Sequence, residues 1–86
     1  MSTSLRHAIA GGIRAERARA GMTQRELGDR LGWTGATISA IEAADRGVAA
    51  EDLADVCRAL GVTLDQLLER ADPSDRKALG LGTRGP

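Results

Sequence analysis

An all-α fold of five short helices is what this sequence predicts, and three observations predict it. Apolar residues recur at steps of three and four, as in Leu5, Ile9 and Ile13, or Leu53, Val56, Cys57 and Leu60. Glycines stand where such runs end, at Gly21, Gly32 and Gly61, the usual left-handed helix stop. Thr23 with Glu26, and Thr63 with Gln66, have the spacing of capping boxes, in which each side chain satisfies the other residue's free backbone amide. Eighty-six residues with 42% apolar content make one small domain whose helices must close on one another or on a partner copy.

Ser2, Thr3 or Ser4 can cap a first helix running from about Leu5 to Ala20. Gly11 and Gly12 each cost this helix about 1 kcal/mol against alanine, which predicts a close helix contact or frayed first turns. The second helix starts at the Thr23 capping box and buries Leu27 and Leu31, and Gly32 stops it. Gln24 and Arg25 sit in its first turn, where side chains and free amides can meet a phosphate. Gly28 shares the inward face of Leu27 and lets the next helix cross closely. Thr34 starts a third helix of about residues 34–43, with Ile38 and Ile41 inward. The stretch from Gln24 to Ile41 thus reads as two short helices joined by a tight turn, the geometry that offers its second helix to a DNA major groove.

Asp45, Arg46 and Gly47 make a turn, and Val48 dips toward the core. The fourth helix, Glu51 to Leu60, lacks a hydroxyl cap but carries Glu51 and Asp52 at its positive end. A short fifth helix from Thr63 to near Arg70 buries Leu64, Leu67 and Leu68, and Asp72-Pro73 breaks the chain. The domain is therefore placed at residues 1–71, with 72–86 a C-terminal extension that holds one more helical turn and a glycine-rich, disordered end. Leu79 and Leu81, with the exposed face of the fifth helix, are the candidate dimer contact.

Composition narrows the chemistry. Cys57 and His7 are each alone in the sequence, so no internal disulfide, metal site or cysteine-histidine nucleophile is expected. Cys57 reads as a small buried apolar residue. No paired carboxylates or phosphate-cradling glycine loop suggest an enzyme or a cofactor. Trp33 is the single aromatic residue, too few for a base-stacking platform that binds single strands. No apolar run approaches the roughly 20 residues of a membrane span, so a cytoplasmic protein is expected. The formal charge is zero, but residues 1–46 carry +2 and residues 47–86 carry −2, so the basic half holds the helix pair.

Taken together, Ile13-Arg14, Arg17, Gly21-Met22-Thr23-Gln24, Glu26-Leu27, Leu31-Gly32, Thr37-Ile38-Ser39, Ile41-Glu42 and the closing run from Leu60 to Leu68 carry a family likeness. The chain resembles the Xre/Cro/phage-repressor helix-turn-helix family from about Leu5 to Leu68. That resemblance implies a five-helix, lambda-repressor-like domain, a homodimer on a palindromic operator in double-stranded DNA, and a transcriptional regulator. It implies an ion pair between Arg17 and Glu42 tying the motif to the scaffold. It also implies phosphate contact by Gln24 and base contact by Gly35, Ala36, Thr37 and Ala40, with Arg46 on the DNA backbone.

The sequence departs from the family at the reading positions. Hydrogen-bonding side chains read bases, and Gly35, Ala36 and Ala40 have none; the hydroxyls of Thr34, Thr37 and Ser39 and two alanine methyls remain. Two functions follow: a DNA-binding regulator using Gln24, Arg25, Thr34, Thr37 and Arg46, or a degenerate helix-turn-helix domain that binds a protein partner through an alanine-faced third helix and an exposed Trp33.

Overall fold

The protein was analysed as a computed structural model, which describes residues 3–82. Among them six helices follow in order: α1 (Thr3–Arg19), α2 (Gln24–Leu31), α3 (Gly35–Glu42), α4 (Ala50–Leu60), α5 (Leu64–Leu67) and α6 (Pro73–Ala78). The all-α, lambda-repressor-like arrangement is the one the sequence predicts. Ile13 from α1, Leu27 from α2, Ile38 from α3 and Val56 from α4 are each at most 1% exposed and meet in one core that Leu67 of α5 closes. Cys57 lies in the same cluster. Its burial pushes the thiol pKa up, against a smaller opposing pull from Arg58, so it packs as an apolar group.

The caps explain most boundaries. Thr23 accepts from Glu26 N while Glu26 Oε1 accepts from Thr23 N, and Thr63 and Gln66 repeat the arrangement. Both boxes are as predicted. The α1 start differs: Thr3 and Ser4 are already helical, and Ser2 lies outside the described residues. Ser4 Oγ donates instead to Asp75 Oδ2 of α6 at 2.8 Å, joining the two ends of the described chain.

The two neighbouring glycines of α1 have different roles. A Cβ on Gly12 would lie 2.1 Å from the Leu67 carbonyl oxygen, so α5 crosses α1 at backbone contact there. A Cβ on Gly11 would meet nothing within 4 Å. The predicted close contact belongs to Gly12 alone, and the helix runs through both residues.

Two elements depart from the sequence reading. The chain leaves α3 through Ala44, whose φ of 60° puts an alanine where glycine is usual. Asp45 N donates to Ala40 O, closing the six-residue ring that such a residue allows. Second, α5 is only four residues long, and the predicted extra turn is a docked helix, α6, capped by Asp72, whose side chain accepts from Ser74 N. Arg76 of α6 is 2% exposed. Its guanidinium donates to the carbonyls of Leu68 at 2.7 Å and Gly82 at 2.9 Å and pairs with the Asp65 carboxylate. Arg76 satisfies free carbonyls around the α5 end as a glycine cap would, which is why α5 can end without one. The expected disorder at the C-terminus falls partly on residues 83–86, outside the described residues.

Candidate nucleic-acid interface

The turn between α2 and α3 is set by two glycines. Gly32 takes φ 72° and ψ 25°, and Trp33 N donates back to Gly28 O at 2.7 Å. A Cβ on Gly28 would sit 2.7 Å from the Trp33 carbonyl oxygen, so only glycine lets the turn fold onto α2. Gly35 is a second close approach. Its Cβ would lie 3.3 Å from Arg25 Cα and 3.4 Å from Arg25 N, which brings the N-termini of α2 and α3 side by side. Each end carries unpaired backbone amides and a positive partial charge, so their juxtaposition makes one site of positive potential.

The residues that the sequence nominates are spread over the α2 start, α3 and the turn after it, where Arg46 lies, with unequal exposure. Arg25, Thr34, Ala36, Ser39 and Arg46 are exposed, and Gln24, Gly35, Thr37 and Ala40 are half-buried. Thr34 Oγ1 accepts from Thr37 N and is hydrogen-bonded to Thr37 Oγ1 at 3.1 Å. The cap therefore occupies part of the hydroxyls' capacity. Trp33 is half-buried against the core, as is Leu31. The outward face of α3 is accordingly Ala36, Ser39 and Ala43, small and nearly without donors.

Beneath α3 lies a polar anchor. Arg17 Nε donates to Glu42 Oε2 at 2.6 Å and Nη2 to Oε1 at 2.9 Å, while Nη1 donates to Met22 O at 2.8 Å. The Glu42 side chain is 1% exposed and that of Arg17 is 16% exposed. Gln24 Nε2 adds a hydrogen bond to Glu42 Oε1 at 3.1 Å, and Arg14 Nε stands 3.9 Å from the same oxygen. Burial pushes the Glu42 carboxyl pKa up, but hydrogen bonds from Arg17 and Gln24 and the charges of Arg17 and Arg14 outweigh it and hold the pKa below its usual value. The Arg17 pKa is raised by the same hydrogen bond against its own desolvation. Residues from α1, α2 and α3 thus converge on one carboxylate.

Sequence reasoning left two α1 residues out of this region. Arg14 reaches the Gln24 side of the anchor while its side chain stays 69% exposed. Arg6, also exposed, lies against the turn after α3: a Cβ on Gly47 would be 3.4 Å from Arg6 Nη2. Arg6 and Arg46 flank a cleft of about 190 Å³ floored by Leu5, Ile9, Ile41 and Val48.

Among the described residues no group of three or more His, Cys, Asp or Glu side chains is placed to hold a metal ion, and no helix is long and apolar enough to cross a membrane.

Comparison with known proteins agrees with this geometry. The helix-turn-helix domain family matches residues 8–71. Among solved structures the chain is similar to the clp gene regulator ClgR from C. glutamicum, at 35% identity and a TM-score of 0.72, over 76% of this chain and 83% of that one. It is also similar to the hypothetical transcription factor NHTF from Neisseria, at 30% identity and a TM-score of 0.71, over 92% of this chain and 90% of that one. No curated protein sequence matches significantly.

Proposed function

The chain belongs to the helix-turn-helix domain family, and from that premise we propose that it is a DNA-binding transcriptional regulator of the Xre type, with α3 in the major groove. The observation that carries this reading is the glycine-locked turn at Gly28, Gly32 and Gly35, which sets the N-termini of α2 and α3 together beside exposed Arg25. Free amides and a cation at one spot suit a backbone phosphate. Both structural relatives are described as regulators or transcription factors, which supports the same assignment.

Gln24, Arg25 and Arg46 would meet phosphates, and Thr34, Thr37 and Ser39 would supply the few polar contacts to bases. Gly35, Ala36 and Ala40 would contribute close approach and methyl contact with thymine, so sequence preference would rest heavily on DNA shape. Dimerisation would double the contacts, with the exposed Leu79 and half-buried Leu81 of the C-terminal extension, residues 72–86, as the candidate contact. The competing role, a module that docks a protein partner on α3, has a smaller anchor because Trp33 is half-buried against the core.

The test is a salt titration of binding to random duplex DNA, followed by selection from a random library. Binding that weakens steeply with salt and an enriched palindrome are expected. Absence of binding at ~50 mM salt, where even a few phosphate contacts register, would overturn the proposal.

A further inference from the structure

The recognition helix is poor in donors and the chain has no net charge, so the affinity of a regulator built this way must come from cations whose position is unusually favourable. Several arginines of the chain are committed to acids: Arg17 to Glu42, Arg19 to Glu16, Arg58 to Asp55 and Arg76 to Asp65. Two further arginines of α1 lie beside the proposed DNA-contacting residues: Arg14, whose one acidic contact is a 3.9 Å approach to the already paired Glu42, and Arg6, which makes no ion pair among the described residues.

Arg14 and Gln24 approach the same oxygen of Glu42, at 3.9 and 3.1 Å, so the Arg14 guanidinium lies next to the Gln24 amide at the α2 N-terminus. Glu42 already receives three closer donors, and the exposed Arg14 keeps most of its own donors toward solvent. Arg6 lies about two turns earlier on α1. It rests against Gly47, and the cleft it shares with Arg46 has no acidic residue in its lining. Eight residues along α1 separate the two arginines, a rise of about 12 Å and a rotation of about 80°.

We infer that α1 is a third DNA-facing element, in which Arg14 beside Gln24 and Arg6 beside Arg46 bind backbone phosphates of the duplex, one next to the α2 N-terminus and the other next to the turn after α3. This rests on the regulator reading above and adds two contacts that the helix-turn-helix pair does not contain. Neither contact carries base information, since both ligands are phosphate oxygens. They position the domain on the backbone, which matters most for a helix that reads by shape and methyl contact.

The full chain, with Arg6→Gln, Arg14→Gln, the double variant and Arg70→Gln, is titrated with salt against random-sequence duplex DNA. Arg70 lines the separate groove between α1 and the α5–α6 segment and controls for the loss of one charge. Each α1 variant is expected to lower the slope of log K against log salt by about 0.9, and the double variant by about 1.8. Arg14→Lys, which keeps the charge, retains the parental slope, and Arg70→Gln does likewise. An unchanged slope in Arg6→Gln or Arg14→Gln, with parental binding intact, overturns this inference and leaves the regulator reading standing. An equal drop in Arg70→Gln overturns it as well, because the effect is then one of total charge. If the parent chain does not bind DNA, both readings fall together.

Discussion

Replacing Arg17 with methionine isolates the anchor beneath α3. The change removes three hydrogen bonds, two to Glu42 and one to Met22 O, and leaves a carboxylate whose side chain is 1% exposed. Breaking one partner of a buried pair costs about 3–5 kcal/mol, because the remaining charge is stranded. Gln24 still donates to Glu42 and Arg14 can move closer, so the lower end of that range, about 3 kcal/mol, applies here. In a domain this small each kcal/mol is worth about 4–8 °C, so the melting midpoint should fall by about 12–24 °C. Far-UV circular dichroism during heating reads it directly. Replacing both partners, as Arg17→Met with Glu42→Leu, should recover much of the loss, since no charge is then left buried. A single variant that melts with the parent would refute the reasoning, and a double variant no better than the single would place the cost in packing around Arg17.

Other consequences are equally open to measurement. Gly11→Ala should stabilise by about 1 kcal/mol through helix propensity, whereas Gly12→Ala should destabilise by about 1–3 kcal/mol because its Cβ meets the Leu67 carbonyl; urea midpoints of opposite sign are the check. Ala44→Gly should stabilise by about 1 kcal/mol by relieving the left-handed backbone, and a lower urea midpoint would contradict the strain argument. Glu42 has a folded pKa below its ordinary value of 4.5, so its stabilisation is present above that pH and is lost as pH falls through the depressed value. The melting temperature should therefore drop on acidification below about pH 4.5, and less steeply in the double variant that lacks Glu42.

How far the sequence could be read depended on whether a feature is local. The capping boxes at Thr23 and Thr63, the glycine stops and the inward Leu27, Ile38 and Val56 are set within a few residues, and the structure has them where periodicity puts them. Gly28 was also legible, because the turn it accommodates follows directly in the chain. Arg76 was not. Its acceptors at Asp65, Leu68 and Gly82 are brought together only by the fold, and a lone arginine after a proline looks like a solvated charge. Ala44 was missed because nothing about alanine advertises positive φ. In the candidate site, Thr34 and Thr37 were nominated as donors, yet their mutual hydrogen bond becomes visible only once the cap forms. Arg6 and Arg14 needed the path of α1 past α3 before their neighbours could be named.

The contact of Ser4 with Asp75 joins residues 71 positions apart, so it closes a loop through nearly the whole chain. Such a closure carries a large entropic cost and rewards it with one exposed hydrogen bond, so it forms after the core has condensed. Outside Arg76, α6 buries no residue, and Leu79 is 43% exposed. What holds α6 is chiefly the buried Arg76, so loss of that contact would release α6 as a unit and leave the α1–α4 core intact. Amide exchange in α6 should outpace that of the core helices, and the C-terminal leucines it carries would be freed for another contact without any unfolding of the DNA-facing helices.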